Sequence, residues 1–227
     1  MYHKAMNIQA QVNLDDGWIG EFPGTEQSTR QRILHAAYNE IHYRGYQAAS
    51  IQSIIDQAGV TKGALYHHFR CKHDLVLALI DEVYTQYVQE TFIQPLQDND
   101  DPVSALIDIL YTLQERITDE TVVLGCPLDN LAQEMTPIDE GIRQKLERLY
   151  QFKRETIIAA FQRGQANGTV NRDINAESIA LMVMATLQGC MGIAQSARSA
   201  TVLVQCGRGL VHYLEQLRGD ARKPFTG

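Results

Sequence analysis

From Ser28 onward the apolar positions of the chain recur at three- and four-residue spacing, the period of helices with one face buried. The sharpest instance lies between Ser50 and Phe69. Ile51, Ile54, Ile55 and Ala58 form one apolar face, Ser50 is placed to cap it, and Gly59 can take the positive φ that ends a helix. Val60 fills the angle, Thr61 is a second cap, and a new helix starts at Lys62 with Leu65 and Phe69 facing the core. Upstream, a helix from about Ser28 to Arg44 carries Ile33, Ala36, Ala37, Glu40 and Ile41, with Gly45 beyond it. Downstream, Leu75, Leu79, Ile80, Val83, Tyr87 and Val88 define a long helix from Lys72 to about Ile93, expected to end before Pro95. Further helices follow at Pro102 to Ile117, through Leu128, Leu131, Ala132 and Met135, and from about Ile138 to Gln165, where Ile142, Leu146, Leu149, Phe152, Ile157 and Phe161 are expected inward. Two helices rich in Ala, Gly, Met and Leu close the chain, near Ala176 to Ala194 and Ala197 to Leu217. Residues 1–27 show no sustained period and contain two turn-forming runs, so they are expected to be a flexible extension, with Trp18, Ile19 and Phe22 available for packing.

Two short helices joined at Gly59 have the layout of a helix-turn-helix, whose second helix enters the major groove of DNA. Such a helix needs small residues where it meets the bases and donors around them. Gly63 and Ala64 supply the closeness, while Thr61, Lys62, Tyr66 and His67 supply the donors. Spacing alone fits a plain helical hairpin as well.

The run Thr61-Lys62-Gly63-Ala64-Leu65-Tyr66-His67-His68-Phe69, followed by Lys72 and Leu75, resembles the signature of the TetR family of bacterial transcriptional regulators. Thr29, Ile33, Leu34, Ala36, Ala37, Gly45 and Tyr46 extend the likeness over about the first third of the chain. The resemblance implies an all-α fold: an N-terminal three-helix DNA-binding domain at 28–74 and a C-terminal ligand-binding and dimerisation domain at 75–227. It implies DNA contacts at Thr61, Lys62, Gly63, Ala64, Tyr66, His67 and Lys72, with Thr29 and Ser50 toward phosphates. It further implies a homodimer formed by the last two helices, and a pocket walled by Tyr84, Val88, Leu110, Tyr111, Leu128, Leu131, Met135, Tyr150, Met184, Gln188 and Met191. Asn130, Gln133, Glu134 and Gln188 are the polar candidates to orient a small organic ligand, with Cys126 counted among the pocket residues.

Charge changes this picture little but sharpens where DNA would sit. The net charge is −7, yet residues 28–75 hold six Lys/Arg against three acids and five of the seven histidines, the basic part of an acidic chain. Four dispersed cysteines without a CxxC pair, and no signal-like opening segment or long apolar run, lead to an expected cytoplasmic protein with reduced thiols. Cys190 and Cys206 are expected in the core. Cys126, between Gly125 and Pro127, falls at a helix N-cap where the helix dipole favours a thiolate, so the alternative reading is a redox or electrophile sensor acting through Cys126. His67, His68, Cys71 and His73 have poor metal-ligand spacing, so no metal site is expected. No cofactor signature and no nucleophile-base motif appears, and catalysis is not expected. The resulting expectation is a one-component repressor that binds a pseudo-palindromic operator as a homodimer and is released by a ligand.

Overall fold

The computed structural model of the chain describes residues 28–219. The expected extension at 1–27 lies outside them. Among the described residues the elements are helical, apart from a lone antiparallel bridge between Val170 and Arg218. They are α1 (Thr29–Arg44), α2 (Ile51–Ala58), α3 (Lys62–His68), α4 beginning at Lys72–Leu79, α5 (Pro102–Glu115), α6 (Asp119–Val122), α7 (Pro127–Met135), α8 (Glu140–Asn167), α9 (Ala176–Ala197) and α10 (Ala200–Glu215).

Local chemistry explains the boundaries. Ser28 caps α1 through a capping box with Gln31. Ser50 accepts the Ser53 N–H at the start of α2 and Thr61 accepts the Ala64 N–H at the start of α3. Gly59 ends α2 with φ 61° and ψ 40°, the left-handed conformation that glycine adopts without a Cβ penalty. Contrary to the expected stop before Pro95, the helical path of α4 runs on to Asp98. Two π-helical turns, Ile80–Tyr84 and Gln89–Ile93, interrupt it. The second turn directly precedes Pro95, and its wider i→i+5 spacing, with the Gln94 N–H donating to Gln89 O, accommodates a residue that lacks an N–H and crowds the preceding turn.

The chain divides into two compact units. Among the described residues, one comprises 28–85 together with 116–146; the other comprises 86–115 together with 147–219. In the first unit Ile33, Ile54, Leu65, Leu75, Leu79, Ile80, Tyr84, Leu131 and Ile142 are fully buried or nearly so. Residues 116–146 thus belong to the same unit as the helix-turn-helix.

In the second unit Arg218 clasps the start of α5: its Nη1 donates to Asp101 Oδ2 at 2.6 Å and its Nη2 to Ser104 Oγ at 3.1 Å. Asp101 in turn accepts the N–H groups of Val103 and Ser104. Gly164 lies where α8 passes Pro102 and Val170, so close that a Cβ there would stand 2.9 Å and 2.6 Å from them. Phe152, expected inward, is 40% exposed. The buried stripe of α8 runs through Leu149, Thr156, Ile157 and Ala160, and the position that continues it, Lys153, places its ammonium 3.4 Å from the centre of the Phe92 ring. Cys190 and Cys206 are half-buried rather than core. Burial, and then the hydrogen-bonded Cys206 thiol, push the Cys190 thiol up to about 12.

Candidate functional site

The second helix of the motif presents one face to the core and the other to solvent. Leu65 and Phe69 are 0% and 3% exposed, whereas Lys62, Gly63, Tyr66, His67 and His68 are exposed. Ala64 is half-buried, and Thr61 is exposed with its Oγ1 accepting the Ala64 N–H at 3.1 Å. A Cβ built on Gly63 would meet nothing nearer than Thr61 Oγ1 at 3.9 Å. Nothing inside the fold therefore requires glycine at this helical position. The Lys62 ammonium lies 6.0 Å from the Tyr66 ring centre, and both side chains, like that of His67, are exposed to solvent.

The motif is braced from behind. Glu40 of α1, 2% exposed, accepts the Ser50 N–H, the Ser53 hydroxyl and the Gln57 amide at 2.7–3.1 Å, and pairs with Arg44 at 3.1 Å. A buried carboxylate this fully bonded locks α2 onto α1. Arg30 extends from α1 to Glu82 at 2.5 Å and stacks over Phe69 at 4.7 Å, tying the end of α3 to α4.

Other residues expected at DNA sit differently. Ser50 is exposed at the N-terminus of α2, and Thr29 is half-buried in the first turn of α1. Lys72 is half-buried and donates its ammonium to Gln47 O at 3.2 Å and Ala49 O at 2.6 Å, 4.8 Å from the Tyr46 ring centre. Burial lowers its pKa, with nearby Glu134 and Glu40 acting in the opposite direction.

Residues expected to line a pocket divide between the two units. Tyr84, Cys126, Leu128, Asn130, Leu131, Glu134 and Met135 belong to the first; Val88, Leu110, Tyr111, Tyr150, Met184, Gln188 and Met191 belong to the second. In the first unit Leu128, Leu131 and Met135 are buried. Asn130 donates its side-chain amide to Leu124 O at 2.6 Å, and the Glu134 carboxylate accepts the N–H groups of Tyr46 at 2.7 Å and Gln47 at 2.8 Å. Both polar groups are thus engaged with backbone. Cys126 is the N-cap of α7 with Pro127 at its first turn, and its thiol makes no capping hydrogen bond. Tyr84 is fully buried beside it, and its hydroxyl has no hydrogen-bond partner among the described residues. Burial, and then the nearby Cys126, raise the Tyr84 pKa, so the phenol stays protonated and is a donor without an acceptor. In the second unit Val88 and Met191 are buried, Leu110, Tyr150 and Met184 half-buried, Gln188 exposed, and Tyr111 54% exposed.

A tie that spacing did not disclose is His42. Its Nε2 lies 2.8 Å from Gly125 O in a buried position. A carbonyl only accepts, so Nε2 carries the proton, and burial lowers the pKa of this neutral ring. Glu40 and His42 are supports to which the sequence assigned no site role, their one prior sign being ionisable character on a helix with an apolar face; Glu134, expected among the ligand groups, bonds the 46–47 backbone.

Residues 33–79 match bacterial regulatory proteins of the tetR family, and residues 102–209 match the C-terminal domain of LmrA/YxaF-like transcriptional regulators. The chain belongs to the TetR family. As a TetR-family chain it is a helix-turn-helix transcriptional regulator, and it resembles others across most of its length. It is 26% identical over 167 residues to the HTH-type transcriptional repressor DhaR of Mycobacterium sp. (strain GP1), covering 71% of this chain and 80% of that one. To an uncharacterized HTH-type transcriptional regulator in the lacX 3' region of Lactococcus lactis subsp. lactis it is 29% identical over 124 residues, 55% of this chain and 63% of that relative. Among solved structures, a TetR transcriptional regulator from Chloroflexus aurantiacus J-10-FL superposes with a TM-score of 0.73 at 28% identity, covering 85% of this chain and 97% of that one.

Proposed function

We propose that this TetR-family regulator is a cytoplasmic repressor that binds a pseudo-palindromic operator as a homodimer through α3 and is released by a small organic ligand. The observation that carries the DNA reading is Gly63. A helical glycine with open space around it costs stability without an internal return, and close approach of a base edge supplies the missing reason. Lys62, Tyr66 and His67 surround it as donors, with Thr61 and Ser50 at two helix N-termini for phosphates.

The dimer reading rests on α9. No charged residue occurs between Glu177 and Arg198, and Leu181, Met182 and Ile193 are 53%, 52% and 59% exposed. Ala176–Ala197 is also the one described helix long and apolar enough to cross a membrane by length and composition, a run that its interspersed Gly, Thr and Gln disguise in the sequence. A second copy supplies a cover for this face, and the twofold axis presents two α3 helices to successive major grooves, about 34 to 36 Å apart. Tyr84 supports the ligand reading: a buried phenol without an acceptor is placed to donate to a carbonyl or ether oxygen. A ligand that binds better to a form with α3 misplaced lowers DNA affinity by linkage.

A gel shift on the DNA upstream of its own gene tests the reading. Sequence-specific retardation that is lost in a Lys62→Ala, His67→Ala double variant supports it, and equal retardation of unrelated DNA refutes it.

A further inference from the structure

The turn between α1 and α2 sets the angle at which the helix-turn-helix leaves α1, and it is held from both sides by charges. On one side the two carboxylate oxygens of Glu134 each accept one backbone N–H, from Tyr46 at 2.7 Å and from Gln47 at 2.8 Å. On the other, the Lys72 ammonium donates to Gln47 O and Ala49 O and lies 4.8 Å from the Tyr46 ring centre. Gly45 makes room for this grip. Its φ is 81°, and a Cβ there would come within 3.0 Å of a Glu134 oxygen.

The partners come from distant parts of the chain. The turn belongs to the DNA-binding match at 33–79, whereas Glu134 belongs to the C-terminal match at 102–209. Each bond is charge-assisted, the stronger class of hydrogen bond. The charged atoms of both Glu134 and Lys72 are engaged with groups of the 46–49 turn.

We propose that Glu134 and Lys72 are positioning residues for DNA reading, a clamp through which α7 fixes the presentation of α2 and α3. This rests on the DNA-binding reading above. It also assigns the regulatory contact of the C-terminal sequence: any rearrangement that withdraws Glu134 from the 46–47 amides loosens the reading head.

The test compares wild type, Glu134→Gln and Lys72→Met on the DNA upstream of the gene, over a series of salt concentrations, well below each protein's melting temperature. Amide exchange at Tyr46 and Gln47 is measured in parallel. Gln keeps the size of Glu but offers one acceptor oxygen to two N–H groups. The expected result is about tenfold weaker binding in each variant with an unchanged salt slope, and faster exchange of both amides in Glu134→Gln. A merely structural role lowers stability but leaves the affinity of the folded protein unmoved. Wild-type affinity in Glu134→Gln despite faster exchange therefore overturns the proposal. For Lys72→Met, a salt slope reduced by about 0.9 overturns the clamp, because that is the signature of a lost phosphate contact. Should Glu134→Gln fail to fold, Lys72→Met carries the same test. Wild-type protein that ignores the fragment at every salt concentration overturns the DNA reading itself, and the clamp with it.

Discussion

Replacing Gly63 by alanine separates the demands of folding from those of DNA. The added Cβ meets only Thr61 Oγ1, at 3.9 Å, an ordinary van der Waals distance that leaves the Thr61 cap on Ala64 intact. Nothing in the folded state opposes the methyl, and alanine restricts the unfolded chain, so stability should rise by about 0.5–1 kcal/mol. For a domain of this length that is a rise of roughly 1–4 °C in melting temperature, measured at one protein concentration because the midpoint of the proposed dimer would depend on it. If α3 packs its Gly63 edge against a base, the same methyl must be accommodated in the interface. Overpacking of that kind costs about 1–3 kcal/mol, or roughly 5- to 150-fold in affinity. Calorimetry and a fluorescence anisotropy titration on one preparation decide the matter. A more stable protein that binds operator as tightly as wild type refutes close approach at Gly63; a less stable one refutes the open space inferred from the fold.

The same substitution at Gly164 should act in the opposite direction, since its Cβ would collide with Pro102 and Val170; a loss of about 1–2 kcal/mol is expected by chemical denaturation, and a gain would contradict the packing. His42 is held neutral by burial, its folded pKa below the unfolded value of about 6.5. Its contribution is therefore complete above pH 6.5 and declines as pH falls from there toward the folded pKa, by up to about 1.4 kcal/mol per pH unit. Urea midpoints between pH 7.5 and 5 should fall more steeply in wild type than in His42→Gln, and parallel curves would exclude His42 as the source. Ile193→Asp places a charge on the exposed apolar face of α9 and should convert the proposed dimer to monomer in light scattering, with loss of the proposed operator binding; an unchanged dimer mass would move the interface elsewhere.

The helices of the reading head are legible in the sequence because their signals are local. Ser28, Ser50 and Thr61 cap the three residues that follow each of them, and Gly59 stops α2 within its own turn. Leu65 and Phe69 declare the buried face of α3 by their spacing of four, and Gly63 and Tyr66 the exposed one. Pro95 misled for an equally local reason: a π-helical turn, which no short pattern announces, absorbs its missing donor. Phe152 misled because apolar character alone does not say on which side of a stripe a residue falls, and Lys153 took the inward position with its stem packed and its charge over a ring.

The roles of the charged and polar residues required the fold. As a residue type Lys72 suits a phosphate and Glu134 suits a ligand, and their flanking residues distinguish neither from a surface charge. What each does depends on groups far along the chain: Glu134 is 88 residues from Tyr46, His42 is 83 from Gly125, and Lys72 is 25 from Gln47. The sequence by itself determined where α1, α2 and α3 begin and end, which of their faces are apolar and which family they resemble, because capping, turn chemistry and periodicity act within about four residues. Tertiary structure alone decided which charged groups bond distant backbone and which are left exposed to solvent. A buried or half-buried polar atom must find its partner wherever packing brings one, and sequence distance places no limit on that.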